Sequence, residues 1–403
     1  MSTVAASRLA LKGGSPVRPA TKPWHSWPVY DDLDRKALID TLESGKWFLD
    51  ERIKKFEKEY AAFQDAKHCI AVNSGTAGLE ICLEALGVGP GDEVIVPPYT
   101  FVATASAAMR VGATVIFVDV DDTWNLNPDL IEAAITPRTK AIMPVHFGSA
   151  VADMDRINAI AAKHKLYVIE DACHSWGSKW KGKGTGALGH GGVFSHQMSK
   201  NLTAGEGGAI VTDHEDFADM CRAISNCGRT KGAAWYEHSV VGTNARMSEF
   251  HAALLSAQLT RLEGQTLRRE KNAAILNEGI GAIEGLTPQP GDPRMTRRAY
   301  HLYGMRVNPD SFGCSRDKVV EAAKAEGLPC GGGYMHPLYK QPVFTNCKTG
   351  PDYTKVHCPV AEDMCYRSVI WFPHHFLLGT EADMQDIVDI FVKIKENATE
   401  LAG

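Results

Sequence analysis

Residues 68–101 read HCIAVNSGTAGLEICLEALGVGPGDEVIVPPYTF. Two short β-branched runs, Cys69–Val72 and Glu93–Val96, enclose a stretch long enough for one helix. Neither run alternates apolar with polar residues. Strands buried on both faces and joined by a crossover helix give that pattern. Working outward, the pattern recurs at Thr114–Val118, Ala141–Val145, Tyr167–Ile169, Gly192–Phe194 and Ala209–Val211. The first five runs are spaced as βαβ units, which predicts an α/β fold with a largely parallel sheet. The early runs stop at Asn73, Pro97, Asp119, His146 and Glu170. Open α/β sheets bind ligands beyond the carboxyl ends of their strands, so chemistry is expected at these stops.

Beyond the strands, 245–280 has an amphipathic helical pattern. A Pro- and Gly-rich stretch follows, Gly285 to Pro293. Then come a strand-like run at Tyr300–Val307, a helix at Arg316–Glu326 and a last helix after Glu381. The 403 residues exceed one compact core. The expected organisation is an N-terminal segment, 1–35, packed on the small domain, a large domain at 36–280 and a small α+β domain at 281–403.

The net charge of −5 argues against nucleic acid as the main partner. None of the ten cysteines forms a C-x-x-C pair, so free thiols in a reducing cytoplasm are expected, with no metal. The N-terminus lacks an apolar signal core, and no run reaches the ~20 apolar residues of a membrane helix.

Four stretches carry chemistry. In FSHQMSKNLTAGEGG, Lys200 follows a buried strand within a small, glycine-rich segment. An amine nucleophile must lose its proton, and enclosure lowers its free pKa of ~10.4. In YVIEDACH, Glu170 and Asp171 end a strand 29 residues before Lys200. A buried carboxylate there is either a helix cap or the partner of a protonated pyridine nitrogen. Asn73-Ser74-Gly75-Thr76-Ala77-Gly78 opens a helix, where free N–H groups and the helix dipole suit a single phosphate. Neither nucleotide fingerprint fits it. In PPYTF, Tyr99 or Phe101 could stack on an aromatic ring. In chain order these are a phosphate cradle, a stacking aromatic, a carboxylate and a lysine. Pyridoxal 5'-phosphate is the best single explanation of all four.

The sequence resembles the DegT/DnrJ/EryC1/StrS aminotransferases over nearly its whole length. The resemblance rests on VNSGTAGLEICLEALGVGPGDEVIVPPYTFVATASA, FGSAVADMDRI, YVIEDACHSWGS, FSHQMSKNLTAGEGGAIVT and GTNARMSEFHAALLSAQL. It implies fold type I, like aspartate aminotransferase, with a mostly parallel seven-stranded sheet and a smaller α+β C-terminal domain. By position it implies that Lys200 forms the Schiff base and that Asp171 meets the pyridine nitrogen. His174 would face the phenolic oxygen, and Gly75, Thr76, Ala77 and Ser195 would hold the phosphate. Phe101, rather than Tyr99, would stack on the ring. Asn244 would reach the phosphate of a partner subunit, which implies a homodimer with shared sites.

Departures narrow the substrate. Asp50 stands where the family commonly has glycine, and Tyr339 where it commonly has histidine. IWFPHHFLLG, with His374 and His375, and the early LALKGGSPV resemble the glutamine:scyllo-inosose aminotransferases and aminohydroxybenzoate synthases. The expected reaction is ping-pong transfer of an amino group from glutamine or glutamate to a keto-sugar or keto-cyclitol. An aminating, aromatising synthase and a non-catalytic cofactor-binding regulator are the alternatives. Candidate substrate residues are Trp47, Tyr334, His336, Tyr339, Arg246, Arg367, His374 and His375.

Overall fold

The computed structural model describes residues 8–234, 236–348 and 350–401. Seven strands form its main sheet: β1 His68–Val72, β2 Glu93–Val96, β3 Thr114–Phe117, β4 Thr139–Ile142, β5 Tyr167–Asp171, β6 Gly191–Ser195 and β7 Gly208–Thr212. Their order is β1-β7-β6-β5-β4-β2-β3. Strands β2 to β6 pair in parallel, while β7 runs antiparallel to both β6 and β1. The exception has a local cause. Residues 196–207 contain no helix, and a parallel return needs a crossover. The connection therefore turns back at the carboxyl edge, and Lys200 lies within it.

Two predicted strand limits shift. Ala141–Val145 becomes Thr139–Ile142, because Pro144 has no N–H to donate to a ladder. Val145 makes only an isolated bridge to Asp171. The run expected from Tyr300 starts at Leu302, since Tyr300 has a φ of 51°, which is not extended backbone.

A second sheet is antiparallel: β8 Leu286–Pro288, β9 Leu302–Val307 and β10 Val369–Pro373, in that order. Helices Arg316–Ala325 and Glu381–Glu396 pack with it around Tyr303, Met305, Phe372 and Phe391. Helix Glu249–Gly281 spans both assemblies. It packs on helices Asp32–Ser44 and Glu51–Phe63, and on Glu381–Glu396.

The N-terminal segment divides. Residues 1–7 lie outside the described residues. Leu9 enters the smaller core, and the Ala10 and Val17 N–H groups donate to the buried Glu326 carboxylate. Lys393 donates to the same carboxylate at 2.9 Å, and Arg18 bridges Asp383 and Asp386. At Trp27 the contacts reach both sides. The Trp27 ring packs edge-on against His374 at 4.6 Å and its indole donates to the Met198 carbonyl, and beyond it Asp34 pairs with Arg261 of the long helix.

Candidate active site

The carboxyl edge of the large sheet and one side of the smaller assembly enclose a cavity of about 890 Å³. On the sheet side, helix Gly75–Ala85 points its N-terminus at the cavity. Ser74 caps it by accepting from the Ala77 N–H at 3.1 Å. That leaves the Gly75 and Thr76 N–H groups as free donors at a positive helix end. Only glycine fits at position 75, because a Cβ would lie 2.9 Å from the Ser195 Cβ and 3.0 Å from the Cys173 Sγ. The helix start is thereby pressed against the ends of β5 and β6.

Asp171 ends β5 and lies 5% exposed on the cavity. Thr104 donates to its Oδ2 at 2.6 Å, and the Cys173 N–H donates to its Oδ1 at 3.2 Å. Among the described residues it has no ion-pair partner. Its neighbour Glu170 points the other way, as the period of a strand demands. Glu170 is fully buried and accepts from the N–H groups of Gly186, Leu188 and Gly189 at 2.7 Å each, and faces His146 Nε2 at 2.8 Å. It shapes the loop before β6 and does not reach the cavity.

Lys200 also lines the cavity. Its Nζ has no hydrogen bond or ion pair among the described residues and lies 5.8 Å from the Trp176 ring centroid. Burial lowers its pKa, and the nearby Cys173 and Asp171 oppose that only in part. The amine is thus eased toward its nucleophilic form. The ring of Phe101 is 60% exposed on the same cavity, whereas Tyr99 is buried among Trp124, Phe147 and Trp371. Ser195 and His174 complete this rim. Burial, and then the Lys200 charge, push the His174 ring well below its ordinary pKa, so it is neutral.

The opposite wall comes from the smaller assembly: His301, Tyr334, Trp371 and His374. His374 donates from Nε2 to the Ser199 carbonyl at 3.1 Å. Ser149, in the left-handed region at φ 71°, joins rim to wall. Its hydroxyl donates to the His174 carbonyl and accepts from the His301 N–H at 2.9 Å.

Of the residues nominated from sequence, Gly75, Thr76, Phe101, Asp171, His174, Ser195, Lys200, Tyr334 and His374 meet in this cavity. The others do not line it. Ala77 spends its N–H on the Ser74 cap. Asn244 is exposed, on a segment that runs beside Asn73. Arg246 donates to Asn226 and lies over the Phe48 ring. Arg367 is exposed and paired with Asp310, and Trp47 is exposed and donates to Leu42. His336 is exposed, facing the Tyr366 hydroxyl. Tyr339 is 1% exposed, donates to Glu362 and accepts from the Cys358 N–H, so it is a core residue. His375 packs edge-on against Phe376, and burial lowers its pKa to about 4.

Sequence reasoning missed Thr104, Ser149 and His301. Thr104 lies in the first turn of the helix Ala103–Arg110 after PPYTF, a position whose facing toward β5 no short-range pattern records. His301 immediately precedes strand β9 of the smaller assembly, and nothing near it in sequence marks it.

A free helix N-terminus, an exposed aromatic ring, a buried carboxylate without a cation and an enclosed lysine share one sheet edge. Fold and site together define a fold type I aminotransferase of the pyridoxal-phosphate class. The chain belongs to the DegT/DnrJ/EryC1/StrS aminotransferase family, whose model matches residues 28–392. It is 39% identical over 421 residues to the L-glutamine:2-deoxy-scyllo-inosose aminotransferase of Micromonospora echinospora, covering 98% of this chain and 99% of that protein. It is 37% identical over 373 residues to the 3-amino-5-hydroxybenzoate synthase of Amycolatopsis mediterranei (strain S699), covering 91% and 95%. A crystal structure of 3-amino-5-hydroxybenzoic acid synthase superposes with a TM-score of 0.85 at 36% identity, covering 92% of this chain and 98% of that one.

Proposed function

We propose that this enzyme transfers an amino group from glutamine to a keto-cyclitol, with pyridoxal phosphate held in the cavity described above. The observation that carries the cofactor assignment is Asp171. A buried carboxylate that has no cation needs one, because an unpaired buried charge is costly. A protonated pyridine nitrogen supplies it, and Lys200, Phe101 and the helix start of Gly75 and Thr76 suit the aldehyde, ring and phosphate of the same molecule. The donor and acceptor rest on the relatives' substrates and on the PHHFLLG and LALKGGSPV stretches.

Bound there, pyridoxal phosphate supplies an electron sink for carbanion charge at the donor's α-carbon. The protein's part follows from its geometry. Asp171, fixed by Thr104 and the Cys173 N–H, would keep the ring nitrogen protonated. Lys200 Nζ would hold the cofactor's aldehyde and would serve as the base and acid that moves the donor's α-proton. Burial favours the neutral amine that this role needs. His174, held neutral, would face the phenolic oxygen.

A homodimer in the cytoplasm is part of this proposal. Asn244 would reach the phosphate of the partner's site. Leu33, Ile39, Leu42, Trp47, Phe48 and Val241 are exposed, which gives a pair of chains apolar surface to bury. No disulfide joins the described cysteines, in keeping with a reducing compartment, and no described helix is long and apolar enough to cross a membrane.

Lys200→Ala tests the proposal. The variant should lose the visible absorbance of the bound cofactor and at least about a hundredfold of the transfer rate. Transfer at the wild-type rate would end it. The likeness to a hydroxybenzoate synthase supports a second reading, amination with loss of water and aromatisation, and a new aromatic chromophore in the product would mark it.

A further inference from the structure

The ring of His301 stands on the cavity wall with its hydrogen-bonding pattern fixed from behind. Asn201, 1% exposed, donates its amide nitrogen to the Ala299 carbonyl at 3.1 Å and the Tyr300 carbonyl at 3.4 Å. Its amide oxygen therefore faces His301, 3.0 Å from Nδ1. A carbonyl oxygen only accepts, so Nδ1 must carry the proton. Turning the amide over would set its oxygen against two carbonyl oxygens, which excludes the alternative. In the neutral ring, Nε2 is then a bare acceptor, and it has no partner among the described residues.

The surroundings keep the ring neutral. His301 packs 4.3 Å from the His174 ring, 5.4 Å from Trp176 and 5.7 Å from His374. Burial, with His174, Lys200, His374 and Arg269 around it, drives its pKa well down. Arg269 is fully buried, and its guanidinium nitrogens have no hydrogen-bond partner. The His301 backbone N–H donates to Ser149 Oγ, so the ring is held in position as well as in tautomer.

We infer that His301 Nε2 accepts a hydrogen bond from a hydroxyl of the ketone substrate, with Asn201 as the positioning residue that fixes its tautomer. A neutral polyol satisfies this acceptor. A carboxylate group in the same place would set oxygen lone pairs against a nitrogen lone pair. The inference rests on the amino-transfer reading and deepens it: His301 selects a polyhydroxylated ring ketone over a carboxylated or unsubstituted one.

The test compares 2-deoxy-scyllo-inosose with cyclohexanone as acceptors for the glutamine-loaded holoenzyme. Wild type should prefer the polyol. His301→Leu should cut that preference by about tenfold, the weight of one hydrogen bond, through KM more than kcat. His301→Gln, which restores an acceptor, should recover part of it. An unchanged preference in His301→Leu, or a loss confined to kcat, overturns the inference. A second measurement keeps the question open to refutation if that variant fails to fold. In wild-type enzyme labelled with ¹⁵N-histidine, the polyol should shift the His301 Nε2 resonance from its unprotonated position. A protonated Nε2, or no shift at saturation, also overturns it. The amino-transfer reading fails separately, if glutamine leaves the wild-type cofactor spectrum unchanged. A spectrum that responds to glutamine, with no preference for the polyol, sinks only the role of His301.

Discussion

The rim of the large sheet and the wall of the smaller assembly face each other across one cavity, but they are built on different scales. On the rim, each side chain lies within a few residues of a strand end: Gly75 and Thr76 after β1, Asp171 closing β5, Ser195 closing β6 and Lys200 soon after it. Strand direction alone delivers them to one edge. On the wall, His301, Tyr334 and the neighbouring Trp371 and His374 come from three separated stretches of the chain. Long-range hydrogen bonds hold two of them, Asn201 to His301 and Ser199 to His374. The rim is a consequence of topology, whereas the wall depends on tertiary packing. A rim of this kind suits the unvarying cofactor, and a wall of this kind can be retuned for a substrate.

The sharpest way to break this comparison lies within the rim, at adjacent carboxylates. Asp171→Asn removes the negative charge proposed to balance the ring nitrogen. It should cost about a hundredfold or more in transfer rate, measured as kcat/KM, while the melting temperature barely moves. Glu170→Gln should do the reverse. Three N–H donors converge on Glu170, and an amide NH2 placed among them leaves buried donors unpaired. A loss of about 2–3 kcal/mol in denaturant unfolding is expected, with near-normal activity in the folded fraction. If both variants lose activity equally without loss of stability, the division of roles between them is wrong.

A smaller effect, read by pH, is shared by the histidines of rim and wall. Burial depresses the pKa values of His174, His301 and His374, so the folded rings are neutral. An unfolded histidine titrates near ~6.5, and below that the unfolded chain binds more protons than the folded one. Stability should therefore fall as pH drops below about 6.5, by up to about 1.4 kcal/mol per pH unit for each ring. Lys200, whose pKa is also lowered by burial, acts at the other end: stability should rise with pH in the alkaline range below ~10.4. Unfolding free energies across pH 5–8 should fall less steeply on acidification for His374→Gln than for wild type. Equal slopes would show that the ring is not buried neutral.

What the sequence disclosed follows the same division. Apolar runs and their spacing disclose the strands, because each is a local signal repeated along the chain. That Lys200, Asp171, Thr76 and Phe101 share one sheet edge was legible for the same reason. The antiparallel β7 was not, since it depends on the absence of a helix in 196–207 rather than on any property of the strand. Tyr339 was misread as a substrate residue: its sequence neighbours say nothing of Glu362 and Cys358, which hold it in the core. His301 and Ser149 were invisible because their roles arise only where two assemblies meet.

The central claim is that Lys200 is the amine that holds pyridoxal phosphate. Borohydride reduction of the holoenzyme, followed by peptide mass mapping, tests it most directly. The account predicts a reduced pyridoxyl group on the peptide containing Lys200, and on no other lysine. A label on Lys324, the other lysine of the cavity, or no covalent label at all, would contradict it.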